Sequence, residues 1–377
     1  MDFDFTEEQE MLRKSARCFL KRECPASLVR QMAADSIGYP PELWRKMAEL
    51  GWVGLAVPER YGGMGMGFID LVILLEEMGR ACLPGPFFST AVIGAFAILD
   101  AGNEDQKNEL LPKLSNGDII LSLALLEPGV HYDPVVIELT AELDDDCYVL
   151  NGTKLFVENA HVADYIITAA HTSDASSSSE GISLFLVDAK SSGMTIEVQD
   201  TIVDDKQCEV KYDRVKVPRG NLLGELNAGW PVIEKVLEVG VAAFCARMLG
   251  WAQAAFEMSV DYAKERVQFD QPIGSFQAIQ HYCADMMIDT DACRFMTYKA
   301  AWEVAEGLPA AKEVAMAKFY LNEACYRITL TGHRIHAAVG ICMDHDMPLY
   351  FKRAWSAVPT FGDSSCQREI IAVQMGL

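Results

Sequence analysis

Histidine, cysteine, arginine and carboxylate side chains offer this 377-residue chain several kinds of chemistry. His333 and His336 are three apart in a helical stretch, and Asp344-His345-Asp346 follows soon after. That spacing puts two imidazoles on one helix face, but a metal site needs a third ligand at the right place. Cys342 and Cys366 are formal candidates for nucleophiles, yet neither has a histidine signature nearby, and buried thiols are the plainer reading. Asp363 stands directly before "SSCQREIIAVQ", where a carboxylate caps a helix N-terminus. Glu238 falls in a helical stretch and reads as part of a solvated face, and Arg266 reads as a helix-end arginine.

The elements that must position these groups follow from pattern. Residues 1–120 are helical: Thr6 with Gln9 fits a capping box, Pro41 opens a helix that runs to Gly51, and Leu71 to Cys82 is strongly apolar. Leu83-Pro84-Gly85-Pro86 breaks that run, and "NEDQKNELLPKLSNGD" is a short amphipathic helix ending at Asn116-Gly117. From 121 to 227 the pattern changes to short β-branched runs, "CYVL", "YIITAA", "ISLFLV", "MTIEV" and "CEVKYDRVKVP", with turns at Asp144-Asp145-Asp146 and Asn151-Gly152. This predicts an antiparallel β domain, with Ser176–Ser179 as a mobile tip. From 228 to 377 long helices return, at roughly 228–265, 275–305, 309–338 and 345–376, which predicts a four-helix bundle. The fold class is α+β.

Composition narrows the partners. The net charge of −22 argues against nucleic acid and against an anionic membrane surface. Eleven cysteines without a CxxC fit a reducing, cytoplasmic setting better than a disulfide framework. The acidic start, MDFDFTEEQE, has no apolar core of a signal peptide, and no apolar run reaches the ~18 residues of a membrane helix.

The order of domains and five local strings resemble the acyl-CoA dehydrogenase family over essentially the whole chain. The strings are "LGWVGLAVPERYGGMGMGFID", "LEPGVHYD", "LNGTKLFVENAHVADY", "YAKERVQFDQPIGSFQAIQ" and "HRIHAAVGICMDHDMPLYFKRA". The resemblance accounts for the histidine-rich segment without a metal. It implies an FAD enzyme in which a carboxylate takes the α proton of an acyl-CoA thioester and flavin takes the β hydride. It further implies electron transfer to an electron-transferring flavoprotein, and an oligomer holding FAD across a subunit interface.

Residue by residue, the match is uneven. Arg266 stands at the family's pyrophosphate arginine, contributed by the neighbouring subunit, and Phe269 and Gln277 match the aromatic and glutamine that follow. Elsewhere the flavin positions differ. Leu126 replaces a threonine whose hydroxyl faces the ring, Phe156 a tryptophan, and Glu158 a serine or threonine. Arg334 replaces a glutamine and Ala337-Ala338 a glycine pair, where two methyls narrow the approach to the dinucleotide. His131 and Tyr132 stand where the family has Gly and Ser beside the CoA, which implies a reshaped entrance.

The base is the sharpest departure. In "TFGDSSCQRE" Phe361 occupies the place of the usual glutamate, and the family's second base position is Gly240, followed by Val241. The nearest carboxylates are Asp363 and Glu238. Glu238 precedes Gly240 by two residues, about 200° around a helix. Some family members carry an F-G-D string here, so the triplet is also compatible with a subfamily mark.

Three functions are therefore in view. One is FAD-dependent dehydrogenation with a relocated base, on an unusual, cyclic or bulky acyl group. The second is a non-catalytic subunit paired with an intact paralogue, lending it Arg266. The third is a flavin-free lyase or hydratase using His131, Tyr132 or Glu158 as acid and base.

Overall fold

The computed structural model describes residues 4–129, 132, 137–173 and 180–377. His131 and the Ser176–Ser179 tip lie outside the described residues. The chain folds as two compact units, one of Met1–Gln31, Phe68–Leu83 and Val241–Leu377, the other of Met32–Gly67 and Pro84–Gly240.

The first unit is helical. Helix α1 (Glu7–Glu23) opens on the Thr6/Gln9 capping box, with Glu7, Glu8 and Glu10 in its first turn and Lys21 and Arg22 in its last, each complementing the helix dipole. After a short α2 (Ala26–Ala34) the chain passes through the second unit, where it forms α3 (Pro41–Glu49, proline at its start), and returns to the first as α4 (Phe68–Arg80). Nearly every residue of α4 is buried, including the carboxylates Glu76 and Glu77. Buried charges persist only when paired and hydrogen-bonded. Here Glu76 accepts from the Tyr298 hydroxyl (2.6 Å) and Arg294 Nη1 (3.1 Å), while Glu77 takes a two-pronged grip from Arg17 (2.7 and 2.9 Å). A Cβ on Gly79 would stand 2.2 Å from the Arg247 carbonyl, and one on Gly250 2.1 Å from the Glu76 carbonyl. Glycine is required at both, because α4 meets the long helix α7 (Gly229–Glu265) backbone to backbone.

Helix α7 is Gly229–Glu265, followed by a two-residue-per-strand hairpin. Then come α8 (Gln277–Ala305) and α9 (Ala311–His336), packed on each other. The predicted fourth helix over 345–376 is not continuous. After a short α10 (Ala338–Ile341), it is replaced by α11 (Met347–Ser356) and α12 (Ser364–Gln374). The cause is local: Phe361 and Gly362 have φ of 59° and 92°, which no right-handed helix accommodates.

In the second unit, α5 (Ala95–Ala101) follows a π-helical stretch, Phe88–Gly94, and α6 (Glu104–Ser115) is capped by Asn103. An eight-stranded sheet comprises β1 (Leu121–Ala124), β2 (Thr140–Asp144), β3 (Cys147–Glu158), β4 (Tyr165–His171), β5 (Ile182–Asp188), β6 (Met194–Gln199), β7 (Gln207–Pro218) and β8 (Leu222–Leu223). The sheet is mixed rather than purely antiparallel: β1 and β2 each pair with β4 in parallel, and the other pairings are antiparallel. Strands β9 (Val267–Gln268) and β10 (Gln271–Pro272) form the hairpin after α7. Among the described residues no helix is long and apolar enough to cross a membrane.

Candidate active site

In the second unit the candidate positions sit where β1 ends against β3. Lys154, on β3, is wholly buried. Its ammonium donates to Glu127 Oε1 at 2.6 Å and to the Leu125 carbonyl at 3.1 Å. The Glu127 carboxylate also accepts from the Glu138 amide (2.7 Å) and the Leu139 amide (3.1 Å). Burial lowers the Lys154 ammonium to about 8, with Glu127 holding it from falling further. The residue between the two clamped ones is Leu126, whose carbonyl accepts from the Leu155 amide at 2.8 Å. His171, also buried, stands close enough to feel both charges, and burial lowers its imidazole.

Beyond Lys154 the β3–β7 register shifts, and at this bulge Phe156 takes φ 53° and leaves its ring 44% exposed. The Glu158 carbonyl accepts from the Ser122 hydroxyl (2.6 Å), fixing the end of the strand. Tyr132 is half-buried. Glu238, in the first half of α7, is half-buried rather than on the solvated face expected of it, and burial raises its carboxyl. Among the described residues it makes no hydrogen bond or ion pair.

In the first unit, Arg266 ends α7 and its guanidinium is exposed without a partner among the described residues. Phe269, at the tip of the β9–β10 hairpin with φ 55°, is 85% exposed, and Gln277 is exposed at the start of α8. Arg334 is exposed at the rim of a hollow of about 520 Å³ between α8 and α9. Ala337 closes α9 with φ 52° and ψ −138°, a backbone shape suited to glycine, and Ala338 is exposed beside it. His336 is not poised for metal: it bonds the Gly332 carbonyl (2.8 Å) and stacks on Tyr262. Among the described residues no group of three or more His, Cys, Asp or Glu could hold a metal ion.

The turn before α12 carries Phe361, whose ring meets Phe244 edge-on at 5.5 Å. Its carbonyl accepts from Gln367 Nε2 at 2.7 Å. Asp363 is the N-cap of α12: its Oδ1 accepts from the Ser365 and Cys366 amides at 2.9 Å each. That bonding ties the carboxylate to its own helix and leaves it poorly placed to act as a base. Behind the turn lies Lys318, fully buried on α9, donating to Asn322 Oδ1 and, at 3.0 Å, to the Ala357 carbonyl. Burial lowers it to about 8. Neither buried lysine is marked in the sequence as functional.

Such a three-part arrangement, helices, a β sheet and a helical bundle with an arginine-bearing hairpin after the first bundle helix, defines a class of acyl-thioester oxidoreductases. The chain matches the acyl-CoA dehydrogenase N-terminal domain over residues 6–118, the middle domain over 122–215 and the C-terminal domain over 227–376. It belongs to the acyl-CoA dehydrogenase family. It is 34% identical to a 3-(aryl)acrylate reductase of Clostridium sporogenes over 98% of each chain. It is 32% identical to the caffeyl-CoA reductase-Etf complex subunit CarC of Acetobacterium woodii, again over 98% of each. Its fold matches butyryl-CoA dehydrogenase from Megasphaera elsdenii with a TM-score of 0.93 over 100% of both chains, at 28% identity.

Members of this family bind FAD. Taken unit by unit, the residues present fit that group: in the first unit the exposed guanidinia of Arg266 and Arg334, without partners among the described residues, suit a pyrophosphate and the exposed Phe269 ring suits an aromatic cofactor; in the second unit the exposed Phe156 ring does. Leu126 is the poorest fit, since its side chain brings no donor.

Proposed function

We propose that this chain is an FAD-dependent acyl-CoA dehydrogenase in which Glu238 takes the α proton. The observation that carries the choice of base is the contrast between the two candidate carboxylates. Asp363 is spent on capping α12, whereas Glu238 is half-buried, has no bonding partner among the described residues, and has a carboxyl raised by burial. A carboxylate made more basic by desolvation is suited to removing a weakly acidic proton. FAD, when bound, would supply the hydride acceptor. Saturation of an enoyl thioester, the direction in the names of the two reductase relatives, is the same pair of transfers reversed, with Glu238 returning the proton.

Arg266, Phe269 and Gln277 serve the flavin of a neighbouring subunit in this reading, and an electron-transferring flavoprotein exchanges the electrons. The Etf-associated relative and the exposed, partnerless display of Arg266 support it. The altered entrance at Tyr132 and the phenylalanine at 361 favour a bulky or cyclic acyl group. The test is the visible spectrum of the purified chain, followed by anaerobic bleaching with a panel of acyl-CoAs. Yellow protein bleached by substrate is expected, with Glu238→Gln slowing bleaching by about 10²–10⁴-fold while CoA-thioester binding is kept. Colourless protein that resists FAD defeats the reading, and a full-speed Glu238→Gln variant defeats the choice of base.

A further inference from the structure

Three of the seven histidines converge on the connection that follows α9. His336 is 1% exposed, stacks on Tyr262 of α7 with ring centroids 4.4 Å apart, and meets His345 at 4.8 Å. His333, one turn back, sets its ring edge-on to Phe351 of α11 at 4.9 Å. The bonds fix the tautomers. His336 Nδ1 donates to the Gly332 carbonyl (2.8 Å), so Nε2 carries the lone pair, and that nitrogen is buried with no partner. His345 Nδ1 accepts from the Met347 amide (3.1 Å), so its proton is on Nε2. His333 Nδ1 is likewise buried and unpartnered. Burial does little for the connection itself: Val339, Ile341 and Met343 are 47%, 68% and 66% exposed. Ala337 is held in a backbone shape suited to glycine. A Cβ on Gly340 would stand 2.6 Å from His336 Cβ, so α10 rests directly on that histidine. Arg30 of α2 is a second tether, donating to the Met343, Asp344 and His345 carbonyls and to Asp346 Oδ1.

We propose that His333, His336 and His345 form an acid-sensitive latch: while neutral they hold residues 337–346 against the helical bundle, and once protonated they release them. A proton on His336 Nε2 would be a buried N–H without an acceptor, on a charged ring in contact with Tyr262 and His345. Burial lowers both His333 and His336, and the neighbouring His345 lowers them further. The other charged groups around the latch offer no relief. Arg30 is a cation, the Asp346 carboxylate is paired with it at 2.7 Å, and Asp344 is exposed. Asp285 and Asp289 of α8 stand with Arg327 and Arg334, and α11 presents the uncharged Phe351. The closed histidines therefore hold protons less tightly than opened ones. Their contribution is present above the ordinary histidine pKa of ~6.5 and is lost as the pH falls below it.

The test is amide exchange at pH 7 and pH 5, corrected for the intrinsic pH dependence of exchange. The probes are the amides of Gly340, Cys342 and His345, each bonded within the connection, with Thr297 and Ala300 of α8 as the reference. One histidine freed to a pKa of ~6.5 raises the opening constant by up to roughly 25-fold over that range. Opening at the three probes is therefore expected to rise at least about tenfold from pH 7 to pH 5, with α8 unchanged. The triple variant His333→Phe/His336→Phe/His345→Phe keeps a ring at each place and should abolish the rise. A rise that persists in the triple variant overturns the latch. So does wild-type exchange that is flat between the two pH values, or that rises equally in α8. If the triple variant does not fold, the wild-type profile decides by itself: a rise confined to the three probes supports the latch, and a flat or uniform one overturns it.

Discussion

Replacing Lys318 by methionine separates two opposed terms at the turn that carries Phe361. The substitution strands the Asn322 Oδ1 and Ala357 carbonyl acceptors, both in buried residues. Each stranded group costs about 1–3 kcal/mol, so the loss is about 2–6 kcal/mol. Against it stands the burial of a charge. The folded ammonium is lowered from 10.5 to about 8, and that gap is worth roughly 3 kcal/mol at 1.36 kcal/mol per pH unit. At pH 7 both folded and unfolded lysine are protonated, the folded state carries the full penalty, and methionine relieves it. The net loss at pH 7 is therefore small, about 0–3 kcal/mol. Between pH 8 and 10.5 the unfolded chain binds the proton that the folded chain has released, so wild-type stability rises with pH from this group while the variant's does not. Urea denaturation of both proteins at pH 7, 8, 9 and 9.5 reads the difference. The gap between them should widen by roughly 1.4 kcal/mol per pH unit above 8. A constant gap across that window refutes the depressed lysine, and a loss above about 5 kcal/mol at pH 7 would reveal a counter-ion absent from the geometry.

Two further substitutions probe the site. Phe361→Glu gives up the edge-on contact with Phe244 and part of the ring's burial, about 2 kcal/mol of stability; placed in the Glu238→Gln background it should restore substrate bleaching of the flavin at least tenfold, and no restoration would count against a pocket at 361 open to substrate. Ala337→Gly removes a methyl from a backbone held at φ 52° and ψ −138°, and should raise stability by about 1 kcal/mol net of the greater freedom of the unfolded chain; a melting temperature that falls would show that the backbone is unstrained there.

What could be read from the sequence divides along the range of the forces involved. The start of α1 was legible because a capping box is written in four consecutive residues, Thr6 to Gln9. The helix α6 was legible because its apolar period and its Asn116-Gly117 stop are equally local. The parallel pairing of β1 with β4 was not, since Leu121 meets Tyr165 across 44 residues and nothing in either strand names its partner. The stop inside the helix expected over 345–376 was not legible either, and only the positive φ at Phe361 and Gly362 shows it. Glu238 was misplaced on a solvated face because a period identifies faces only when one of them is polar, and α7 is buried on nearly every side from Val241 to Ala246. Lys154 and Lys318 failed to stand out because lysine is so commonly exposed that both look like ordinary surface residues.

The polar groups around Phe361 argue together about where a base can come from. The Lys318 ammonium is spent on the Ala357 carbonyl at the end of α11, the Gln367 amide on the Phe361 carbonyl, and the Asp363 carboxylate on the first amides of α12. Each holds the turn, and none is left over for a substrate. Moving Asp363 toward chemistry would uncap α12, at about 1 kcal/mol. Supplying the carboxylate from the turn thus requires rebuilding the turn. Glu238 is not bound up in this way: it sits on an intact helix, half-buried and without a bonding partner among the described residues.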